Sequence, residues 1–179
     1  MRRVKLVFLN FVCLLILALH IQCKDINKEN NTDVLTNSNT TQKITAKDIA
    51  QIKYTEYVLS DLAEEKIDYW LNFKILSTEI NNLKKGDLSF FIDDKTITQG
   101  FINGLISETP ELLNVTSIAV RISVIKTAIH KLEGAASFKN TTKQPVLNNI
   151  KDLLLAYNHL ILQINKRVEK ESRSIEKPQ

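Results

Sequence analysis

The sequence predicts an all-α fold, a small bundle of four to five helices that follows an export signal and a polar tether. Apolar residues in the second half of the chain recur every three or four positions, as they do on one face of a helix. The only two cysteines, Cys13 and Cys23, lie near the N-terminus, so the rest of the chain has no disulfide. A domain without disulfides must be held by its apolar core. We therefore predict one helical domain over residues 44–172.

The first 22 residues have the pattern of an export signal. Basic residues near the N-terminus precede an apolar run that ends at Ile21, and Cys23 follows almost directly. We predict that residues 1–22 are removed and that Cys23 receives a lipid. An ordinary cleaved signal is an alternative, because the usual lipid-acceptor pattern has a Leu-like residue where this chain has His20. An uncleaved anchor is another, although a membrane-spanning helix needs about 20 apolar residues and this run falls short.

Residues 23–43 form the predicted tether. Asn, Thr, Lys and Asp dominate this segment, and its apolar residues after Cys23 are Ile26, Val34 and Leu35. Such a composition cannot bury enough apolar surface to offset the entropy that is lost on folding. We expect the segment to be disordered and to hold the domain roughly 25 Å from a membrane on average.

The first predicted helix runs from Thr45 to Lys85. Thr45 and Asp48 fit an N-cap with an acidic residue in the first turn, and Gly86 fits the left-handed position after a helix end. A length of about 40 residues is unusual for one helix, so we expect a kink or break near residues 63–66.

The next two helices are predicted from capping residues. Asp94 or Thr96 would cap a second helix that ends near Ser107. Thr109 and Pro110 give the third helix the strongest start signal in the chain, because they suit the N-cap and the first helical position. A seam with spacings of three and four residues predicts that this helix packs against a partner. The seam consists of Ile118, Ile122, Ile125, Ile129 and Leu132.

Gly134 is expected to end the third helix, and Pro145 is a suitable first residue for the last one. Apolar residues from Val146 to Val168 form a single stripe along this last helix. After residue 172 the sequence turns polar, and we expect residues 173–179 to fray.

Overall charge and motifs argue against several functional classes. The formal net charge of +4 includes three basic residues of the signal, and removing them leaves +1, so we expect no nucleic-acid ligand. Beyond the signal only His130 and His159 remain as histidines. The sequence has no H-E-x-x-H, G-x-S-x-G or P-loop motif. We therefore expect that the protein is not an enzyme and that it binds no metal or cofactor.

A local excess of positive charge is the feature with the most functional promise. Residues 121–151 contain six basic side chains and one acidic side chain, Glu133. Such a patch would bind a sulfated glycan or an acidic protein surface. The alternative is that these charges are solvated faces of helices that attract the acidic residues of segment 48–68. The candidate ligand-binding residues are Arg121, Lys126, His130, Lys131, Lys139 and Lys143.

The chain thus combines a lipid-acceptor Cys23, an Asn- and Lys-rich tether and a cysteine-free helical domain rich in Lys, Ile and Asn. This layout resembles that of the outer-surface lipoproteins of spirochaetes, including the decorin-binding and complement-regulator-binding groups. The resemblance implies a helical protein that is lipid-anchored to the outer membrane, is exposed at the cell surface and binds a host matrix or serum component. A periplasm-facing envelope lipoprotein with a structural or assembly role is the alternative, since the same helices would serve it.

Overall fold

The computed structural model describes residues 43–138 and 142–173. Within these ranges the chain forms seven α-helices and one 3₁₀ turn, and it forms no strand, which confirms the predicted all-α fold. The 3₁₀ turn is Glu111–Leu113. The helices are α1 (Ala46–Ala50), α2 (Asp61–Lys66), α3 (Leu71–Lys84), α4 (Ser89–Ile92), α5 (Lys95–Ser107), α6 (Thr116–Ser137) and α7 (Lys143–Ser172).

Several sequence predictions fall on the rest of the chain. The predicted signal, Cys23 and the predicted tether up to residue 42 lie outside the described residues, and so does Lys139. None of the helices that the structure describes is both long enough and apolar enough to cross a membrane.

One end of the bundle, here called the entry end, is where the described chain begins. It consists of residues 43–48, the turn at Gly86 and the first turn of α7. Gly86 has a φ of +91°, and a Cβ atom there would lie 2.9 Å from the backbone nitrogen of Ala46. Only glycine fits this turn, because any side chain would meet both a strained φ and a backbone contact. The N–H groups of Gly86 and Asp87 bond to the carbonyls of Leu83 and Asn82 and so close α3, as predicted.

The N-terminal end of α3, here called the far end, is held by Trp70. Its ring is completely buried, and its Nε1 donates a hydrogen bond of 3.2 Å to the carbonyl oxygen of Leu105 in α5. Phe73 stacks on Trp70 with 5.2 Å between the ring centroids. The helix α3 begins directly after Trp70 and ends two residues before Gly86. Its 14 residues therefore separate the two ends by about 21 Å.

The helices α6 and α7 pack against each other along most of their length. All five residues of the seam predicted on α6 are buried, and the stripe on α7 from Val146 to Val168 is buried along its length. The two helices, with 22 and 30 residues, therefore form the main packed pair of the core. Residues of α3 and α5 complete the core.

The single helix predicted from Thr45 to Lys85 is wrong. The predicted cap is present, since Asp48 Oδ2 accepts a hydrogen bond of 2.9 Å from the Thr45 N–H. However, α1 has only five residues, and residues 51–60 are not helical. The break is therefore much longer than the kink expected near residues 63–66, which instead belong to α2.

Two asparagines of α7 hold the non-helical segment in place. Asn158 Oδ1 accepts a hydrogen bond of 2.7 Å from the Tyr57 N–H. Asn165 accepts from the Ser60 N–H at 3.0 Å and donates to the Val58 carbonyl at 2.8 Å. Because Asn158 and Asn165 are two turns apart on α7, they fix the segment along the helix. Three backbone groups that a continuous helix would pair internally are therefore satisfied here by side chains of α7.

Two predicted boundaries of α6 are also wrong. Thr109 Oγ1 donates to carbonyls in the last turn of α5, at 3.1 and 2.9 Å, and does not cap the following helix. Pro110 is extended with a ψ of 146°, the 3₁₀ turn follows, and α6 begins at Thr116. Gly134 lies inside α6, which continues to Ser137. Gly134 therefore lacks the left-handed φ that a terminating glycine would have.

The starts of the other two long helices lie close to their predicted positions. Asp94 Oδ1 accepts from the N–H groups of Thr96 and Ile97 at 2.7 and 3.2 Å, which confirms Asp94 as the N-cap of α5. The last helix, α7, begins at Lys143, two residues before Pro145.

Candidate functional site

Three of the predicted ligand-binding residues lie on two different sides of α6. His130 faces α5: its Nδ1 is 3.4 Å from Oε2 of Glu133, whose Oε1 is 3.1 Å from Nζ of Lys95. Lys126 precedes His130 by one turn on the same side. Lys131 lies on the other side, in a shallow groove between α6 and α7. The structure therefore brings Lys126 and His130 together and separates Lys131 from them.

Glu133 weakens the positive potential near His130. This carboxylate is only 7% exposed. Its ion pair with Lys95, followed by its contact with His130, holds the pKa of the Glu133 carboxyl below its usual range, although burial acts in the opposite direction. A negative charge is thus fixed beside the histidine that the sequence assigns to a basic patch.

The remaining candidate residues lie elsewhere. Lys143 Nζ donates a hydrogen bond of 2.8 Å to Asp48 Oδ2 at the entry end. This bond, followed by those from Thr45, lowers the pKa of Asp48 to about 2. Arg121 is half-buried on α6, and Lys139 lies outside the described residues. For Lys143 the structure agrees with the alternative interpretation, in which the basic segment attracts its acidic neighbour.

A groove of about 750 Å³ lies at the entry end. Its border carries three lysines, Lys43, Lys85 and Lys143, and two aspartates. Phe138, directly after α6, is 69% exposed and lines the groove. The entry end thus offers an open apolar surface with a mixed charged border. Its apolar lining includes Ile44, Leu88, Ile92, Ala135, Phe138 and Val146.

A second exposed aromatic side chain marks the far end. Tyr69 is 95% exposed and Leu71 is 61% exposed, although Trp70 between them is completely buried. Since Trp70 fixes the backbone on both sides, Tyr69 projects from a well-held turn. An aromatic side chain presented in this way loses little conformational entropy on binding and is a suitable anchor for a protein partner.

The surroundings of Tyr69 are acidic. Asn72 Nδ2 donates a hydrogen bond of 2.6 Å to Glu108, at the end of α5. Gly104 lies so close to this pair that a Cβ atom would be 2.5 Å from Asn72 Nδ2, so the absence of a side chain at Gly104 allows α3 and α5 to approach each other closely here. Residues 61–68, which precede Tyr69, contain four acidic residues. Two of them pair with lysines, Glu65 with Lys66 at 2.9 Å and Asp68 with Lys74 at 2.6 Å, so the remaining negative charge of this segment comes from Asp61 and Glu64. The exposed tip therefore carries negative charge.

No role is predicted from the sequence for three residues that matter in the structure, Tyr69, Phe138 and Asn158. A signal for Tyr69 exists, because Ile67 and Trp70 keep the spacing of buried residues and Tyr69 falls between them. The sequence contains a signal for Asn158 as well, because this polar residue lies within the apolar stripe of the last helix. In the structure Asn158 is only 2% exposed. Phe138 has no periodic signal, because it follows the end of α6.

No protein-family model matches this sequence, and no curated protein and no solved structure matches it. The function is therefore inferred from the two ends of the bundle.

Proposed function

We propose that this chain is a lipid-anchored bacterial surface protein that binds a host matrix or serum component, in adhesion or immune evasion. The observation that supports it most is the position of the exposed turn. Tyr69 and Leu71 lie at the far end, whereas the predicted tether joins the domain at Lys43, at the entry end. An anchor at Cys23 would hold the entry end near the membrane and leave the far end accessible.

The length of the tether supports this arrangement. About 20 polar residues between Cys23 and Lys43 would average roughly 25 Å from end to end. The far end lies beyond the entry end by about the length of α3, which is about 21 Å. The tether and α3 together would hold the far end far enough from the membrane for a macromolecular ligand to approach it.

A protein ligand is favoured over a sulfated glycan at this tip. Tyr69 and Leu71 supply the aromatic and aliphatic contact area on which protein interfaces depend. The acidic residues that precede Tyr69 would repel sulfate groups and attract a basic protein surface.

The anchor and the exposure are tested with the full-length chain in bacterial cells. Protease added to intact cells should remove the domain, and Cys23→Ala should move the protein from the detergent phase to the aqueous phase. Cleavage only after the outer membrane is opened would support the periplasm-facing structural or assembly role instead. Unchanged detergent partitioning of the Cys23→Ala protein would contradict lipidation.

Ligand binding is tested with the same cells in host serum and on host matrix. Cells with the natural chain should retain a host protein that cells with both Tyr69→Ser and Leu71→Ser do not retain. The matched control carries Val120→Ser and Val124→Ser, which change two exposed apolar residues of α6, 51% and 44% exposed. Equal retention by all three strains would contradict binding through the far end.

A further inference from the structure

We infer that the entry end is a membrane-contact surface, in which Phe138 and the groove beside it insert at the boundary between lipid headgroups and acyl chains. The inference rests on the proposed function, because the lipid anchor at Cys23 must keep the entry end near the membrane. It adds an orientation of the bundle, which a flexible tether alone does not supply.

The apolar surface at the entry end is continuous. Phe138 is 69% exposed, and it lines the groove together with Ile44 and Val146, which are 8% and 7% exposed and belong to the core. Contact with an apolar phase would remove Phe138 and the open groove from water, which is favourable. Aromatic and aliphatic side chains of interfacial membrane proteins occupy the same depth.

The charged residues at the border also suit a lipid surface. Lys43 and Lys85 can lay their aliphatic stems along the apolar region while their ammonium groups reach lipid phosphates. Lys143 is neutralised by Asp48 at 2.8 Å, and two aspartates line the groove as well. Because the border is close to neutral, we expect apolar contact to dominate and a phosphatidylcholine surface without anionic lipid to be sufficient.

The position of the anchor makes a small contact sufficient. Lys43 and Ile44 line the groove, and Cys23 lies 20 residues before Lys43. The predicted tether of this length would bring the groove to the membrane at a high effective concentration. The far end, with Tyr69, is separated from the entry end by about the length of α3, about 21 Å. One exposed aromatic residue can therefore act at the entry end although it would bind lipid too weakly in free solution.

The test uses the mature lipidated chain in phosphatidylcholine nanodiscs, with a nitroxide label on Thr142→Cys. Thr142 is exposed, lines the groove and makes no side-chain cap bond to α7. The label is unique, because both natural cysteines lie within the first 23 residues and Cys23 carries the lipid. Collisions of the label are measured with oxygen, which concentrates in lipid, and with a nickel chelate, which stays in water.

The inference expects the label to collide more with oxygen than with the nickel chelate. This ratio should fall several-fold with Phe138→Ser and should not change with Tyr69→Ser, the matched exposed aromatic of the far end. A label that collides more with the nickel chelate than with oxygen, both in the chain with Phe138 and in the Phe138→Ser variant, would overturn the inference. A label shielded from both reagents would also overturn it, because the groove would then be covered by the tether or by a second copy.

The same samples separate this inference from the proposed function. A chain that attaches to the nanodiscs through Cys23 but shows a water-exposed label contradicts the inference alone. A chain that does not attach contradicts the lipid anchor, and with it the inference that depends on the anchor.

Discussion

The two ends of the bundle both expose an aromatic side chain, but the surroundings of the two residues are opposite. At the entry end, Phe138 continues an apolar groove with a mixed charged border. At the far end, Tyr69 projects from a turn that follows an acidic segment. Exposure alone therefore does not define a surface, because the neighbouring residues decide whether an aromatic side chain suits a lipid boundary or a protein partner.

The ends also differ in how they are held together. The entry end depends on backbone geometry, since Gly86 has a positive φ and lies against the backbone of Thr45 and Ala46. The far end depends on one large side chain, because Trp70 is completely buried and bonds to Leu105. Substitutions should therefore break the two ends by different mechanisms.

The largest effect is expected at the far end. Trp70→Ala should lower the free energy of unfolding by about 3–5 kcal/mol, because it leaves a cavity and removes the ring on which Phe73 stacks. Tyr69→Ala is the matched control, and since Tyr69 is 95% exposed its effect should stay within about 0.5 kcal/mol. Urea denaturation measures both. Similar losses for the two variants would mean that Trp70 does not hold this end.

At the entry end a smaller loss is expected from Gly86→Ala, about 2 kcal/mol, because alanine is strained at φ +91° and its Cβ would contact the backbone. The control is Gly100→Ala in α5, where a Cβ atom meets nothing within 4 Å. Alanine there should stabilise the protein by about 0.5–1 kcal/mol. If both glycines tolerate alanine equally in denaturation experiments, backbone geometry does not close this end.

The segment that connects the two ends should be sensitive to Asn158→Ala. Loss of the amide leaves the N–H of Tyr57 without its partner and removes a second hydrogen bond to the Leu154 carbonyl, which we expect to cost about 2 kcal/mol. Asn165→Ala, at a more exposed position, should cost about half as much. Hydrogen exchange of the Tyr57 amide would report the change directly. Unaltered protection of that amide in the Asn158→Ala protein would contradict the role of Asn158.

Several elements of this fold could be predicted from residues that lie close together in the sequence. The cap of Thr45, the stop at Gly86 and the cap of Asp94 each involve residues at most five positions apart. The buried seam of α6 and the stripe of α7 follow from periodicity, which also reports on nearby residues only.

Other features depend on residues that are distant in sequence. Residues 57–60 are held outside a helix by Asn158 and Asn165, about 100 positions away, which satisfy three of their backbone groups. Similarly, the basic residues of segment 121–151 are dispersed by the packing of α6 between two neighbours, and Lys143 bonds to Asp48 from 95 positions away. A pattern within one helix contains no information about these partners.

The ion pair at the entry end gives a smaller effect that depends on pH. Because the pKa of Asp48 falls from 3.8 to about 2 on folding, the pair stabilises the protein above pH 3.8 and loses its contribution as the pH falls towards 2. The deficit of Lys143→Gln should therefore level off above pH 3.8, shrink as the pH falls towards 2, and vanish only below pH 2. Denaturation at several pH values measures the deficit.

Lys126→Gln is the control for this pH dependence. None of the ion pairs among the described residues includes Lys126. A deficit of Lys143→Gln that stays constant as the pH falls from 5 through 2 would mean that Asp48 is not its titrating partner.

The smallest effect is expected on a heparin column. A variant with Lys126→Gln, Lys139→Gln and Lys143→Gln should elute only slightly earlier than the natural protein, because Lys143 is paired and lies apart from Lys126. A control with Lys74→Gln, Lys84→Gln and Lys166→Gln removes the same total charge. A much larger shift for the first variant than for the control would restore a single basic patch as a sulfated-glycan site.

The central claim, that the far end is exposed outside the cell while the chain is anchored, is tested most directly by thiol labelling of Tyr69→Cys. A membrane-impermeant maleimide is applied to intact cells and to lysed cells that carry this variant. We expect a lipid on Cys23 to make this residue unreactive, and residues 24–179 contain no natural cysteine. The account predicts equal labelling of intact and lysed cells. Labelling that occurs only after lysis would contradict it.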